Sequence, residues 1–154
     1  MQTMLILHSL LRWAVLLTGL WTLLNALSGV SSRRMYSNGD NKSSLFFMIS
    51  CDIQLLLGIG LYISNHWFDK MKNGMGEVMK NAGDRFFTVE HAGMMLVAWI
   101  LVHVGRSSVK RAISDRAKHR KMLIFFGLAL LIILASIPWP FREAIARPLY
   151  RWFN

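Results

Sequence analysis

The chain is poor in acidic residues, in proline and above all in cysteine. Its 154 residues include eight acidic residues, three prolines and a single cysteine. One cysteine excludes an intrachain disulfide and a CxxCH haem-attachment motif. The sequence also has no nucleophile–base arrangement and no multi-ligand zinc motif, which argues against hydrolytic chemistry. Because Cys51 lies inside an apolar segment, we interpret it as a small core residue.

Four long apolar segments dominate what the sequence does contain. They cover about residues 4–27, 45–64, 87–105 and 122–138. Each is close to the ~20 residues that a helix needs to cross a hydrocarbon core ~30 Å thick. The segment LFFMISCDIQLLLGIGLYIS lacks the polar face of a soluble helix. The sequence therefore predicts an all-α, integral membrane four-helix transmembrane bundle in one domain. Pro138 and Pro140 are expected to end the fourth helix, and residues 139–154 to form an amphipathic tail.

The basic residues indicate how the bundle is oriented. A net charge of +10 is typical of nucleic-acid binding in a soluble protein, but here the cations lie between apolar segments. Ten fall in the first and third loops, and seven fall in the second loop and the tail. By the positive-inside rule, the first and third loops are cytoplasmic and both termini lie outside. We expect a multi-pass protein of the bacterial inner membrane, with the lipid bilayer rather than nucleic acid as its partner.

His8 is the first candidate site residue. At 100° per residue, Arg12 and Gly19 share its helix face. A histidine followed by small residues on one face leaves room for a flat ring. The alternative is that His8 is an interfacial residue and that Gly19 packs against a neighbouring helix.

His91 repeats this pattern in the third segment. The first and third helices enter the membrane from one side, so His8 and His91 are expected at similar depth. Two imidazoles facing each other inside a bundle suit the ligation of one haem b iron. Glu90 is a candidate to orient the imidazole, or it caps the start of the helix. Arg12 is a candidate partner for a haem propionate.

Asp52 lies inside the second segment, where a carboxylate is either protonated or paired. We expect it to take part in proton uptake or to pair with Arg12. The alternative is a hydrogen bond near Gln54 or to a serine.

The other histidines are predicted to lie away from the haem. His103 follows His91 by twelve residues, a rotation of ~120° on a helix. It is therefore expected to meet the interface or a neighbouring helix. His66 and His119 fall in predicted loops and are expected to be solvated.

Three methionines, Met71, Met75 and Met79, recur every four residues in the second loop. Thioethers prefer Cu(I), so copper handling is one interpretation. The other is an amphipathic helix in the interface, with methionine as a flexible apolar residue.

Four segments of the chain, one in or beside each span, resemble a family of small four-helix bacterial membrane proteins described as cytochrome b-like. The segments are HSLLRW at 8–13, IQLLLGIGLY at 53–62, RFFTVEHAGMM at 85–95 and IPWPFR at 137–142. The resemblance implies His8 and His91 as haem ligands. Family members often have histidines where this chain has Asp52 and Arg106, so it implies that a second histidine pair is absent here.

These observations predict a b-type haem-binding membrane protein or a small electron-transfer subunit. Other respiratory subunits or a quinone are its expected partners. The alternatives are a non-enzymatic accessory subunit of a larger membrane complex and, after that, a copper-handling membrane protein.

Overall fold

The computed structural model describes residues 2–149, and within this range the chain is helical with no strand. The helices are α1 (Gln2–Ser32), α2 (Asn38–Ser64), α3 (Trp67–Lys80), α4 (Ala82–Arg85), α5 (His91–Lys110) and α6 (Asp115–Ser136). A π-helical turn, Phe86–Glu90, joins α4 to α5, so that residues 82–110 form one continuous helical rod.

Four of these units are long and apolar enough to cross a membrane: α1, α2, the rod 82–110 and α6. This confirms the predicted all-α architecture with four candidate spans. The helices extend beyond the predicted apolar segments, chiefly at the end that carries the loops 33–37 and 111–114. Polar residues there continue the helices past the hydrocarbon-length stretch. At the other end α6 stops at Ser136, just before Pro138, as expected for a residue that cannot continue a helix.

The four long helices are arranged in a ring. Helix α1 packs against α2 and α6, and α5 also packs against α2 and α6. Helices α1 and α5 therefore face each other across the diagonal and run in the same direction. We call the end of the bundle that holds the first residues of α1 and α5 the amino end, and the opposite end the loop end.

The outward faces of the helices are apolar. Their most exposed large side chains include Leu17, Leu56, Ile63 and Leu131. Phe47, Phe126 and Met122 form the centre of the bundle, and Cys51 is buried with them as predicted. Because there is little polar surface along the spans, the outward faces are suited to contact with lipid.

The start of α2 is fixed by Ser37 and Asp40. The Ser37 hydroxyl accepts a hydrogen bond from the Asp40 backbone N–H, and the Asp40 carboxylate accepts one from the Ser37 backbone N–H. Arg34 binds both oxygens of the same buried carboxylate, at 2.6 and 2.7 Å. This hydrogen bonding raises the pKa of Arg34. These contacts therefore tie the short first loop to the start of α2.

Replacing Ser37 with alanine is expected to lower the free energy of unfolding by about 1 kcal/mol, since the helix loses its N-cap. Thermal unfolding of the purified protein in one detergent measures the effect. Ser31→Ala, at an exposed position of α1, is the matched control and should change stability little. Equal effects of the two substitutions would contradict the role of the cap.

The predicted second loop contains an amphipathic helix, α3, in agreement with one of the two interpretations of its methionines. Helix α3 is interrupted at Gly74, whose backbone is non-helical. Met71 lies before this break, and its sulfur contacts the Tyr62 hydroxyl at 3.7 Å. Met75 and Met79 lie after the break and are exposed. The three methionines are therefore divided between two helical pieces rather than lying on one continuous stripe.

The described part of the predicted tail, residues 139–149, forms turns rather than a helix. Ile145 is buried, and the Arg147 N–H donates to the Pro138 carbonyl at 3.0 Å. The rest of the predicted tail, residues 150–154, lies outside the described residues.

Candidate site at the amino end of the bundle

His8 of α1 and His91 of α5 meet across the diagonal of the bundle. Their ring centroids are 6.4 Å apart, and the ring planes are inclined by 69°. Both histidines lie near the start of parallel helices, which brings them to the same level. The structure thus brings together the two histidines that the sequence paired.

His91 is held by backbone and aromatic groups. Its Nδ1 is 2.8 Å from the Ser136 carbonyl oxygen at the end of α6, so Nδ1 carries the proton and donates. The Phe86 and Phe87 rings lie 5.7 and 6.4 Å from the imidazole. With Nδ1 occupied in this way, Nε2 of the neutral ring has a free lone pair.

The backbone immediately before His91 is irregular. Residues Phe86–Glu90 form the π-helical turn, and the His91 N–H donates to the Phe86 carbonyl across it. Such turns are rare and often occur at functional sites. The added residue rotates His91 relative to the preceding helix and leaves it directed into the bundle.

His8 packs against α2. A methyl group at Gly58 would lie 3.5 Å from its Cε1 atom, an ordinary van der Waals distance, so the imidazole lies directly beside Gly58. The Gln54 amide nitrogen donates to the His8 backbone carbonyl at 3.0 Å. These contacts fix the height of α1 against α2 beside the histidine pair.

Four buried polar atoms around this pair have no hydrogen-bond partner among the described residues. They are His8 Nδ1, Arg12 Nε, Gln54 Oε1 and Thr88 Oγ1. Arg12 lies one turn beyond His8, and Thr88 lies one turn before His91. Buried polar atoms are normally hydrogen-bonded. These four atoms could therefore form hydrogen bonds with a group outside the chain, such as water or a ligand.

Arg12 contacts the tail. Its Nη2 donates to the Leu149 carbonyl, and the Trp13 indole N–H donates to the same oxygen at 3.1 Å. The tail therefore crosses α1 one turn below His8. A pairing of Arg12 with Asp52 is not formed in the described residues.

Glu90 and Gly19 have roles other than direct contact with the histidine pair. Glu90 forms an ion pair with Arg85 at 2.7 Å, so the group that orients His91 is the Ser136 carbonyl.

Gly19 is buried, and a methyl group there would lie 3.0 Å from both Phe47 and Leu130. The room beside Gly19 is filled by core side chains, as its packing interpretation predicted.

Asp52 belongs to a second polar cluster, near the middle of the bundle. Its Oδ1 accepts hydrogen bonds from the Trp99 indole at 2.6 Å and from His103 Nε2 at 2.8 Å. Within residues 2–149, neither Arg12 nor a serine takes this place. His103 faces the neighbouring helix α2, as its rotation from His91 predicted. The Asp52–His103 pair could not be predicted from the sequence, because a helical wheel gives the direction of a side chain but not the helix that it meets.

Arg106 is one of the two positions at which the resemblance implied that a second histidine pair is absent. It is buried at the loop end, where it donates to the Ser44 hydroxyl at 2.7 Å and to the Asn41 carbonyl at 3.1 Å. In this chain the position ties α5 to α2 through a guanidinium.

The prediction that His119 is solvated is wrong. It is fully buried in α6, against Gly29 of α1 and the Tyr36 ring. Both of its ring nitrogens lack a hydrogen-bond partner in the described part of the chain. The sequence indicated this burial, since His119 shares a helical face with the buried Met122 and Phe126.

His66, by contrast, is exposed and lies near Asp69, as expected for a loop residue.

Comparison of the chain with protein-family models, with curated proteins and with solved structures found no match.

Proposed function

We propose that the protein binds one b-type haem between His8 and His91 and acts as a small electron-transfer membrane protein. The observation that supports this most is the pair of imidazoles that face each other across the bundle. Buried polar atoms without a hydrogen-bond partner among the described residues lie near this pair. Bundle interiors are common haem sites, and histidine is a common ligand of haem iron.

The spacing of the two rings fits a shared metal. A metal ion lies about 2 Å from an imidazole nitrogen, so two imidazoles that share one ion have ring centroids roughly 6 Å apart. The observed separation is 6.4 Å. The hydrogen bond from His91 to the Ser136 carbonyl is the type of outer contact that fixes a ligating histidine and raises its basicity.

A bound haem would supply one-electron chemistry, and other residues of the site would have supporting roles. Arg12, whose Nε is buried without a partner, is the candidate group for a propionate. Phe86 and Phe87 exclude water from one side of His91. Glu90 acts at a distance, by holding Arg85 at the start of the π-helical turn.

An absorption spectrum tests this proposal directly. The protein is purified from cells supplemented with a haem precursor, and the spectrum is recorded before and after addition of dithionite. A low-spin haem b Soret band that shifts on reduction is the expected result. A folded protein without a Soret band, even after incubation with haemin, would overturn the proposal and favour the accessory-subunit alternative.

We further propose that the loop end faces the cytoplasm of a bacterial inner membrane, because ten basic residues lie in the two loops of that end and in the helix ends beside them. The native Cys51 is first replaced by serine. In intact cells, an impermeant maleimide should then label a cysteine placed at Gly76 but not one placed at Ile113, and both positions are exposed. After lysis both should react. The reverse pattern in intact cells would contradict the orientation.

A further inference from the structure

The cluster formed by Asp52, Trp99 and His103 is partly exposed on the outside of the bundle. The side chains of Asp52 and His103 are each 35% exposed. Asp52 is twelve residues from the end of α2 and fourteen from its start, so it lies ~18 and ~21 Å along the helix axis from these two ends. An ionisable pair at this depth opens onto the hydrocarbon region. Such groups are costly in lipid and are normally paired or functional.

The pair satisfies only part of its hydrogen-bonding capacity. Both donors, from Trp99 and His103, reach the same carboxylate oxygen, Oδ1. The second oxygen, Oδ2, and the second imidazole nitrogen, Nδ1, have no hydrogen-bond partner in the range that the structure describes. Because neither atom is closed off by the fold, both remain available to a molecule arriving from the membrane.

The surrounding surface does not suit close packing by another helix. The exposed side chains beside the cluster are large and aliphatic: Ile49, Ile53 and Leu56 on α2, and Leu96, Val97, Ile100 and Val104 on α5. Close helix contacts in membranes are usually built on small residues. A small molecule with an apolar tail fits such a surface better than a second copy of this chain.

We propose that Asp52, Trp99 and His103 bind the headgroup of a lipid-soluble quinol or quinone. In the quinol form, one ring hydroxyl would donate to Asp52 Oδ2 and the other to His103 Nδ1, which is the acceptor nitrogen when Nε2 donates to Asp52 Oδ1. The Trp99 and His103 rings, 4.3 Å apart, provide an aromatic wall for the headgroup. A fatty acid does not fit, because its carboxylate is repelled by Asp52 and stays near the membrane surface.

This site is distinct from the histidine pair. Twelve residues of α5 separate His103 from His91, which corresponds to ~18 Å along the helix. Binding of a quinol at Asp52 therefore does not require haem at the amino end, and each proposal can fail without the other.

The test uses the full chain in nanodiscs of phosphatidylcholine. Decylubiquinol and a menaquinol analogue are titrated, binding is measured by equilibrium dialysis, and oleate serves as a control ligand. We expect saturable binding of one or both quinols and none of oleate. Asp52→Asn and His103→Gln should each weaken binding roughly ten-fold or more, because a hydrogen bond to a charged group contributes about 1.5–3 kcal/mol. Glu77→Gln, the matched change at an exposed residue of α3, should leave binding unchanged.

A photoreactive azidoquinone locates the site without relying on the variants. Label is expected in peptides that contain residues 49–56 or 96–104. Three results would overturn the proposal: no saturable binding by the wild-type protein, label confined to other peptides, or equal affinity of the wild-type, Asp52→Asn and His103→Gln proteins. Efficient cross-linking between copies through cysteines at Ile53 and Ile100, with no quinol binding, would identify this face as a protein interface.

Discussion

His8→Ala and His91→Ala are each expected to abolish the low-spin Soret band of the purified protein or to convert it to a high-spin form. The reason is that each substitution removes one of the two imidazoles that face each other across the bundle, and these are the residues that would hold the haem iron. Absorption and electron paramagnetic resonance spectra, together with the haem content per chain, measure the loss. The expected residual content of low-spin haem is close to zero in either variant.

Two other histidines provide matched controls for this experiment. His66 is exposed on the loop before α3, and His103 faces Asp52 on α2. Replacement of either by alanine should leave the low-spin spectrum intact. If His103→Ala also removed the spectrum while circular dichroism showed a folded protein, the assignment of the haem to the His8–His91 pair would be wrong.

The sequence was sufficient to predict the architecture because the constraint behind it is strong. A chain that crosses lipid must satisfy its backbone hydrogen bonds internally, so long apolar segments predict helices with little ambiguity. The pairing of His8 with His91 also followed, since alternate spans enter from one side. These predictions need only segment length and order.

Contacts between helices could not be predicted in the same way. The Asp52–His103 pair depends on which faces of α2 and α5 meet, and this is decided by packing of the whole bundle. The group that orients His91 is a backbone carbonyl, at Ser136, and every residue carries one, so the sequence gives no signal for it. Glu90 offered a plausible side chain but is paired with Arg85.

His119 was missed for a different reason. The predicted fourth segment began at Met122, because Arg120 and Lys121 interrupt the apolar run. Helix α6 begins at Asp115, capped by the Ser114 side chain, so His119 lies in its second turn and faces the core. Hydropathy locates the part of a helix that lies in lipid, whereas capping residues locate where the helix starts.

The close approach of α1 to α6 beside His119 leads to a second large expected effect. A methyl group at Gly29 would overlap the His119 imidazole, which is fully buried. Gly29→Ala should therefore lower the free energy of unfolding by about 3 kcal/mol, at the upper end of the usual range for overpacked cores. Thermal unfolding in a single detergent, followed by circular dichroism, measures this change.

Gly93→Ala is the matched control, because a methyl group at this exposed position of α5 meets no atom within 4 Å. It should stabilise the protein by up to about 1 kcal/mol, since alanine favours the helix over glycine. The double substitution Gly29→Ala with His119→Ala should recover much of the stability lost in Gly29→Ala alone, because the ring that the methyl group overlaps is gone. A Gly29→Ala protein as stable as the Gly93→Ala protein would show that α1 and α6 do not approach each other closely at His119.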